Sequence, residues 1–203
     1  MSTGRLAVLV SGSGSNLQAM IDASARGEMA GQLVVVVSNR PGVRALERAG
    51  TAGVEGLVLD HKLFTDRPAF EAALHESLTR RAIDYVILAG FMRLLTPGFV
   101  SRWRGRLVNI HPSLLPAFPG GHAIRDAVQA KASQTGVTVH FVDEGTDTGP
   151  IIAQEALAVR PDDTEDSLAE RIHAVEHRLY PSVVDALVRG RIHLDGRTVI
   201  RQP

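Results

Sequence analysis

The chain has 203 residues, enough for one domain with a buried core, and it contains no cysteine. The lack of thiols excludes disulfides, thiolate nucleophiles and cysteine-based metal centres. The 22 basic and 22 acidic side chains give a formal charge of zero, so no global field favours nucleic acid or a membrane surface, and any anion site must be local.

The first apolar run, residues 6–10, follows Met1-Ser2-Thr3-Gly4-Arg5 directly. It is too short for a signal-peptide core or a membrane span. We therefore expect a cytoplasmic protein.

Short β-branched runs alternate with amphipathic segments along the chain. The predicted strands are residues 6–10, 33–37, 54–59, 85–89, 107–110, 137–142 and 151–157. The predicted helices between them are residues 17–25, 44–51, 68–81 and 124–130. This alternation is typical of crossover units, and it predicts an α/β fold with a mainly parallel sheet.

A final helix is predicted from Thr164 to about Val188, with Asp162 or Asp163 as its N-cap. The alternating segment 191–200 is then broken by Asp-Gly at 195 and 196, which predicts a hairpin that we interpret as a terminal ornament. The chain has no linker-like stretch, so residues 1–203 are expected to form a single domain.

The turn after the first strand is rich in glycine and serine, Ser11-Gly12-Ser13-Gly14-Ser15-Asn16. Exposed amides at a helix start favour a phosphate, and glycines let a ligand approach the backbone. The turn matches neither standard nucleotide motif. Leu17 stands where a dinucleotide fingerprint has its third glycine, and the Gly-Lys-Ser/Thr ending of a nucleotide P-loop is missing. An NADP site using Arg40 stays open, as do a plain phosphate-binding module and a tight turn without a ligand.

Two polar residues end the strand at 107–110. Period-two geometry directs Asn109 and His111 to the same face, at the carboxyl edge of the sheet where ligands bind. Three prolines then prevent regular structure in the loop 111–121. A third polar group is expected from the acidic loop 143–150, since a carboxylate near His111 would favour its imidazolium form.

These motifs resemble the formyltetrahydrofolate-dependent formyltransferases. The resemblance rests on Asn-x-His-Pro-Ser-Leu-Leu-Pro from Asn109, on Thr146-Asp147-Thr148-Gly149-Pro150, on the first turn, and on the segments 88–95 and 176–181. It implies a Rossmann-like fold with helices on both faces of a twisted sheet. It also implies transfer of a formyl group from 10-formyltetrahydrofolate to the amine of 5-phosphoribosylglycinamide in purine biosynthesis.

The resemblance also assigns residues to roles. The implied catalytic trio is Asn109, His111 and Asp147. The implied substrate-binding residues are Ser13, Gly14, Ser15, Asn16, Gly90, Pro112 and Glu176. The implied folate-binding residues are Arg67, Leu88, Met92, Arg93, Leu94, Leu95, Asn109, Val142 and Asp147. Phosphate binding is thus expected in about residues 1–100, and catalysis and folate binding in about residues 101–203. As a mechanism, we expect Asn109 and protonated His111 to stabilise a tetrahedral oxyanion.

Other functions remain as alternatives. A formyltetrahydrofolate hydrolase would share the trio but would need an added N-terminal domain, and transfer-RNA formyltransferases carry an extra C-terminal domain; we expect neither in 203 residues.

His173-Ala-Val-Glu176-His177 matches an inverted zincin pattern, although no metal is expected. Arg102-Trp103-Arg104 could contact nucleic acid, but we interpret it as the end of a surface helix. The other histidines, 61, 75, 122, 140 and 193, are interpreted as structural or surface residues, with His122 as the only loop candidate for a site. We expect small-molecule substrates only, and a monomer or homodimer.

Overall fold

The computed structural model describes residues 4–202. Residues 1–3, which precede the first predicted strand, and residue 203 lie outside the described part. The strands are β1 (Arg5–Val10), β2 (Gln32–Ser38), β3 (Glu55–Val58), β4 (Tyr85–Leu88), β5 (Leu107–His111), β6 (Gln134–Phe141), β7 (Ile151–Ala158), β8 (Ile192–Asp195) and β9 (Thr198–Arg201). The helices are α1 (Ser15–Ala25), α2 (Arg44–Thr51), α3 (Arg67–Arg80), α4 (Pro97–Arg102), α5 (Ala123–Gln129) and α6 (Glu165–Val188), with a 3-10 turn at His61–Leu63.

Seven of the described strands form one sheet in the order β3-β2-β1-β4-β5-β6-β7. The five neighbouring strands from β3 to β5 in this order are parallel. β6 pairs antiparallel with β5, and β7 pairs antiparallel with β6. This confirms the mostly parallel α/β fold. The order changes direction between β1 and β4, and such a switch point is where open α/β sheets bind ligands.

The sheet is covered on both faces, as the alternation along β1 requires. Leu6, Val8 and Val10 belong to a core with α1, α2, α5 and α6, whereas Ala7 and Leu9 belong to a second core with α3 and α4. All five side chains are fully buried. The apolar runs are therefore continuous because both faces of each central strand exclude water.

The last long helix begins one residue later than predicted, and its N-cap is neither Asp162 nor Asp163. Thr164 is the cap: its hydroxyl accepts from the Ser167 amide at 3.1 Å, and the Ser167 hydroxyl accepts from the Thr164 amide at 3.0 Å. This capping box satisfies two free amides at once. Asp163 instead accepts a hydrogen bond from the Arg160 amide at 2.6 Å.

Two other elements differ from the predictions: β6 is longer than predicted, and only the end of α4, near Arg102, was predicted. β6 begins at Gln134 rather than 137, because its first residues pair with the end of β7. α4 is a full short helix, and its following residue Trp103 is only 2% exposed beneath the Arg106 guanidinium, so its ring is not free for a nucleic-acid base. Among residues 4–202, every helix is too short or too polar to cross a membrane.

Candidate active site

A cleft along the carboxyl edge of β1, β4 and β5 consists of three adjoining cavities. The first-loop cavity, about 420 Å³, is lined by residues 11–16 together with Arg40, Pro112 and Glu176. The central cavity, about 390 Å³, is lined by Gly90, Asn109, His111 and Asp147 among others. The outer cavity, about 340 Å³, lies beyond Asn109 and is lined by Arg67, Leu95 and the loop 142–147. The central cavity shares lining residues with each of the other two, so the cleft is continuous.

The three side chains of the predicted trio meet in the central cavity. His111 Nδ1 lies 3.5 Å from Asp147 Oδ2, and the His111 side chain is only 5% exposed. Its other nitrogen, Nε2, donates to the Phe118 carbonyl at 2.8 Å. Because a carbonyl can only accept, that bond fixes a proton on Nε2 and leaves Nδ1 facing the carboxylate.

Asp147 adopts a backbone conformation that is unusual for a residue with a side chain. Its φ is 55°, in the left-handed region. The carboxylate accepts from the Gly120 amide at 2.8 Å, so the loop 111–121 helps to hold it. A strained conformation that neighbours enforce in this way is typical of functional sites.

His140 completes the cluster, although the sequence analysis left it outside the site. It lies opposite Asn109 in the β5–β6 register and is 2% exposed. Its Nδ1 donates to the Phe141 carbonyl at 2.9 Å, and its Nε2 lies 3.3 Å from Asn109 Nδ2 and 3.7 Å from Asp147 Oδ1. Burial lowers the pKa of His140, so the neutral ring can accept a hydrogen bond from the Asn109 amide.

The first loop is held tightly against its surroundings. Gly14 has a φ of 71° and caps α1. A Cβ at this position would lie 2.7 Å from the Ala45 Cβ, so only glycine fits. The Ser11 hydroxyl accepts from the Met92 amide at 2.8 Å and donates to Asn39 at 2.6 Å, which ties the loop to the segment after β4. The start of α1 therefore faces the cavity with a fixed backbone, as an anion site requires.

Glu176 lies on the floor of the first-loop cavity. It is 5% exposed, and one of its oxygens accepts from Asn16 Nδ2 at 2.9 Å. Burial raises the pKa of Glu176, and the Asn16 hydrogen bond offsets part of that rise. A buried carboxylate beside a cavity can bind a cationic or hydrogen-bonding amine.

The outer cavity combines apolar walls with two arginines. Leu88, Leu95 and Val142 supply apolar surface, and Arg67 and Arg93 supply positive charge. The Arg93 guanidinium lies 5.3 Å from the centre of the Phe70 ring. Glu71, on the buried face of α3, accepts hydrogen bonds from the amide and the hydroxyl of Thr96. These bonds fix the segment that follows β4. This cavity suits a flat ring system that carries negative charge.

The structure brings every predicted site residue to this cleft. Met92 differs, because it lines the first-loop and central cavities rather than the outer one. Glu176 belongs to the C-terminal half but lines the first-loop cavity, and Arg67 belongs to the N-terminal half but lines the outer one, so each cavity draws on both halves of the chain. The lining residues that were not predicted include Thr96, Pro97, His140 and His173.

The three residues of the inverted zincin pattern on α6 contact one another or Asn16 and do not converge as metal ligands would. The rings of His173 and His177 stack with centroids 6.1 Å apart, while Glu176 bonds to Asn16. Within the described chain, no group of three or more metal-binding side chains is close enough to hold an ion.

Comparison with known proteins identifies relatives across almost the whole chain. A family model described as formyl transferase matches residues 4–184. The chain is 53% identical over 189 residues to a trifunctional purine biosynthetic protein adenosine-3 of Drosophila melanogaster, covering 92% of this chain but spanning only 14% of the length of that protein. It is 42% identical over 189 residues to phosphoribosylglycinamide formyltransferase of Escherichia coli, covering 93% and 89% of the two chains. A crystal structure of glycinamide ribonucleotide transformylase 1 from Symbiobacterium toebii superposes with a TM-score of 0.96 at 45% identity, covering 99% of this chain and 95% of that one.

Proposed function

Because this chain belongs to the formyl transferase family, we propose that it transfers the formyl group of 10-formyltetrahydrofolate to the amine of 5-phosphoribosylglycinamide. The products are formylglycinamide ribonucleotide and tetrahydrofolate. One observation carries the proposal: the cluster of Asn109, His111 and Asp147 stands between a cavity suited to a phosphate and a cavity suited to a charged flat ring. We also propose that the protein is cytoplasmic, as expected from the sequence.

The first-loop cavity would bind the ribonucleotide. The amides of Ser13, Ser15 and Asn16 at the start of α1 would hold its phosphate. Glu176 would hold the glycinamide end, since the carboxylate lies across the same cavity. Gly90 and Pro112 lie where this cavity opens into the central one, so the amine would extend past them toward Asn109.

The outer cavity would bind the folate. Leu88, Leu95 and Val142 would contact the flat ring, and Arg67 and Arg93 would attract the carboxylates of the folate tail. Leu94 is 60% exposed at the rim and lines both the outer and the central cavities, where it would cover the bound folate. The formyl group would then lie in the central cavity next to Asn109.

Transfer would proceed by direct attack. The neutral amine of the ribonucleotide attacks the formyl carbon, the carbonyl electron pair moves to oxygen, and a tetrahedral oxyanion forms. The intermediate collapses, the bond from carbon to the folate nitrogen breaks, and that nitrogen takes up a proton. Asp147 would accept the proton of the attacking amine and return it, through water, to the leaving nitrogen.

Two donors would stabilise the oxyanion. One is the Asn109 amide, which the neutral His140 ring orients. The other is Nδ1 of protonated His111, because Nε2 already donates to Phe118. The 3.5 Å separation of Nδ1 from Asp147 is longer than a good hydrogen bond, so this donor can turn toward a substrate oxygen.

The proposal is tested by following folate release from formyltetrahydrofolate with and without phosphoribosylglycinamide. Release that depends on the amine supports transfer, release without it indicates a hydrolase, and NADPH oxidation with no folate release would indicate a reductase. Asn109→Ala and His111→Ala should each lower kcat by about a hundred-fold or more while KM changes little. A variant of either kind with near wild-type kcat would contradict the assigned roles.

A further inference from the structure

The C-terminal hairpin β8–β9 contacts the loop that carries Asp147. Arg197 lies in its turn, 54 residues from its partner in sequence. The guanidinium donates through Nη1 to Asp143 Oδ2 at 2.9 Å and through Nη2 to the Thr148 carbonyl at 3.0 Å. One side chain thus bonds to both ends of the loop 143–148.

The neck of this loop is tightly built. Asp143 Oδ1 accepts from the Thr148 hydroxyl at 2.7 Å and from the Gly145 amide at 3.2 Å. Gly149 has no room for a side chain, since a Cβ would lie 1.7 Å from the Phe141 carbonyl oxygen. The loop can therefore change shape only between these two ends, in the stretch that includes Asp147.

The Arg197–Asp143 pair differs from an ordinary surface ion pair. The Asp143 side chain is only 10% exposed. Burial by itself would raise the pKa of Asp143, but the hydrogen bonds from Thr148, Arg197 and Gly145 outweigh burial and lower it. Arg197 itself is 64% exposed and makes one hydrogen bond to the carboxylate, so the buried position of Asp143 is what makes this pair contribute more than a pair of two exposed side chains.

The hairpin provides a fixed base for Arg197. Ile192 is 7% exposed and belongs to the main core. The Arg201 guanidinium donates to the Ile152 carbonyl on β7, and the Gln202 amide donates to the Arg191 carbonyl at 2.8 Å. The hairpin is thus attached to the core, to the sheet and to itself, and this attachment revises its interpretation as a terminal ornament.

We infer that Arg197 is a positioning residue that closes the neck of the loop 143–148 and thereby holds Asp147 against His111. Asp147 has a left-handed backbone, a conformation that costs free energy for a residue with a side chain, so contacts of its loop must stabilise it. The Gly120 amide fixes its side chain, and Arg197 fixes the ends of its loop. The catalytic consequence rests on the proposed function, whereas the effect on the loop does not.

The test uses the full chain with Arg197→Ala, Arg197→Gln and Arg197→Lys. Hydrogen exchange should be on the order of ten-fold faster in peptides covering residues 141–150 of Arg197→Ala, with the core strands unchanged. Its kcat for formyl transfer should fall about ten-fold while KM for phosphoribosylglycinamide stays the same, because a displaced Asp147 affects the reaction and not the first-loop cavity. Arg197→Lys should recover part of the loss, since an ammonium keeps the contact with Asp143 but cannot span both ends.

Arg191→Ala is the matched control. It removes one exposed positive charge beside the same hairpin, and among the described residues its side chain forms no hydrogen bond or ion pair. If Arg197→Ala and Arg197→Gln both exchange like wild type in residues 141–150, or if exchange rises while kcat is unchanged, the inference is wrong. If the wild type transfers no formyl group, the proposed function fails, and the exchange data alone decide whether Arg197 positions the loop.

Discussion

Replacing Glu176 with glutamine should stabilise the protein and weaken its binding of the amine substrate. Glu176 is 5% exposed, and burial raises its pKa because the charged form is poorly solvated. Glutamine keeps a carbonyl oxygen that can accept the hydrogen bond from Asn16, so the substitution removes the charge without removing this contact.

The expected sizes follow from these two effects. Relieving an unfavourable feature of a functional site typically adds roughly 0.5–2 kcal/mol to the free energy of unfolding. In a domain of this size that corresponds to a Tm higher by about 1–8 °C. Loss of a charged hydrogen bond to the substrate costs roughly 1.5–3 kcal/mol, which is an increase of about 10- to 150-fold in the Kd of phosphoribosylglycinamide.

The raised pKa of Glu176 also determines how the free energy of unfolding changes with pH. Above the ordinary pKa of 4.5, the unfolded Glu176 has lost its proton while the folded one keeps it until its raised pKa is passed. The folded state then binds more protons, so the wild-type free energy of unfolding should fall as pH rises through this window. The glutamine variant lacks this loss of stability, so its advantage over the wild type should grow as pH rises above 4.5 until the raised pKa of Glu176 is passed.

Urea denaturation at several pH values, with isothermal titration of phosphoribosylglycinamide, measures both effects. Glu71→Gln is the contrasting variant, because Glu71 is also 5% exposed but uses both oxygens as acceptors from Thr96. Its amide nitrogen would face a donor, and a loss of about 1–3 kcal/mol is expected. A Glu176→Gln variant that is less stable than wild type at pH 8, or that binds the substrate equally well, would refute the reasoning.

Three further predictions test other parts of the structure. Tyr180→Phe removes a buried hydroxyl whose single proton lies between two carbonyl oxygens, 2.8 Å from Leu88 O and 3.1 Å from Val108 O, and should lower the free energy of unfolding by about 1–3 kcal/mol. Tyr85→Phe, with one longer bond of 3.3 Å, should cost less, and equal costs in urea denaturation would count against this. His140→Phe should lower kcat about ten-fold because Asn109 loses its acceptor. It should also abolish the fall in stability that the lowered pKa of His140 causes below pH 6.5, where the unfolded ring takes up a proton before the folded one does; an unchanged kcat would contradict the first part. Gly14→Ala should cost more than the 1–2 kcal/mol typical of a left-handed residue, since its Cβ also overlaps Ala45, and wild-type stability in urea would show that the loop can relax.

The sequence predicted the features that depend on local patterns. The apolar runs predicted the strands, since each buried strand must be apolar wherever it faces a core. The two-residue spacing of Asn109 and His111 predicted that both side chains face one crevice, and the structure places them there beside Asp147. The glycine-rich first turn predicted a helix start with an accessible backbone.

The remaining features depend on pairing between distant segments. His140 reaches Asn109 only because β6 runs antiparallel to β5 in one register, and nothing in residues near 140 specifies that register. Arg197 reaches Asp143 because the hairpin docks beside the sheet, which a local pattern predicts as a turn but not as a contact. The capping box at Thr164 was missed for a different reason: three adjacent residues are all good caps, and the choice depends on how each side chain is used, since Asp163 accepts hydrogen bonds from the Arg160 amide and the Ser167 hydroxyl.

The first-loop and outer cavities have no lining residue in common, and only the central cavity connects them. Thermodynamic coupling between two ligands requires some contact or conformational state that both influence. In the proposed complex the two reactants would meet only at the amine and the formyl group in the central cavity, so the Kd of each should change little when the other is bound. Either molecule can arrive first, and initial-rate plots should show a random order of addition.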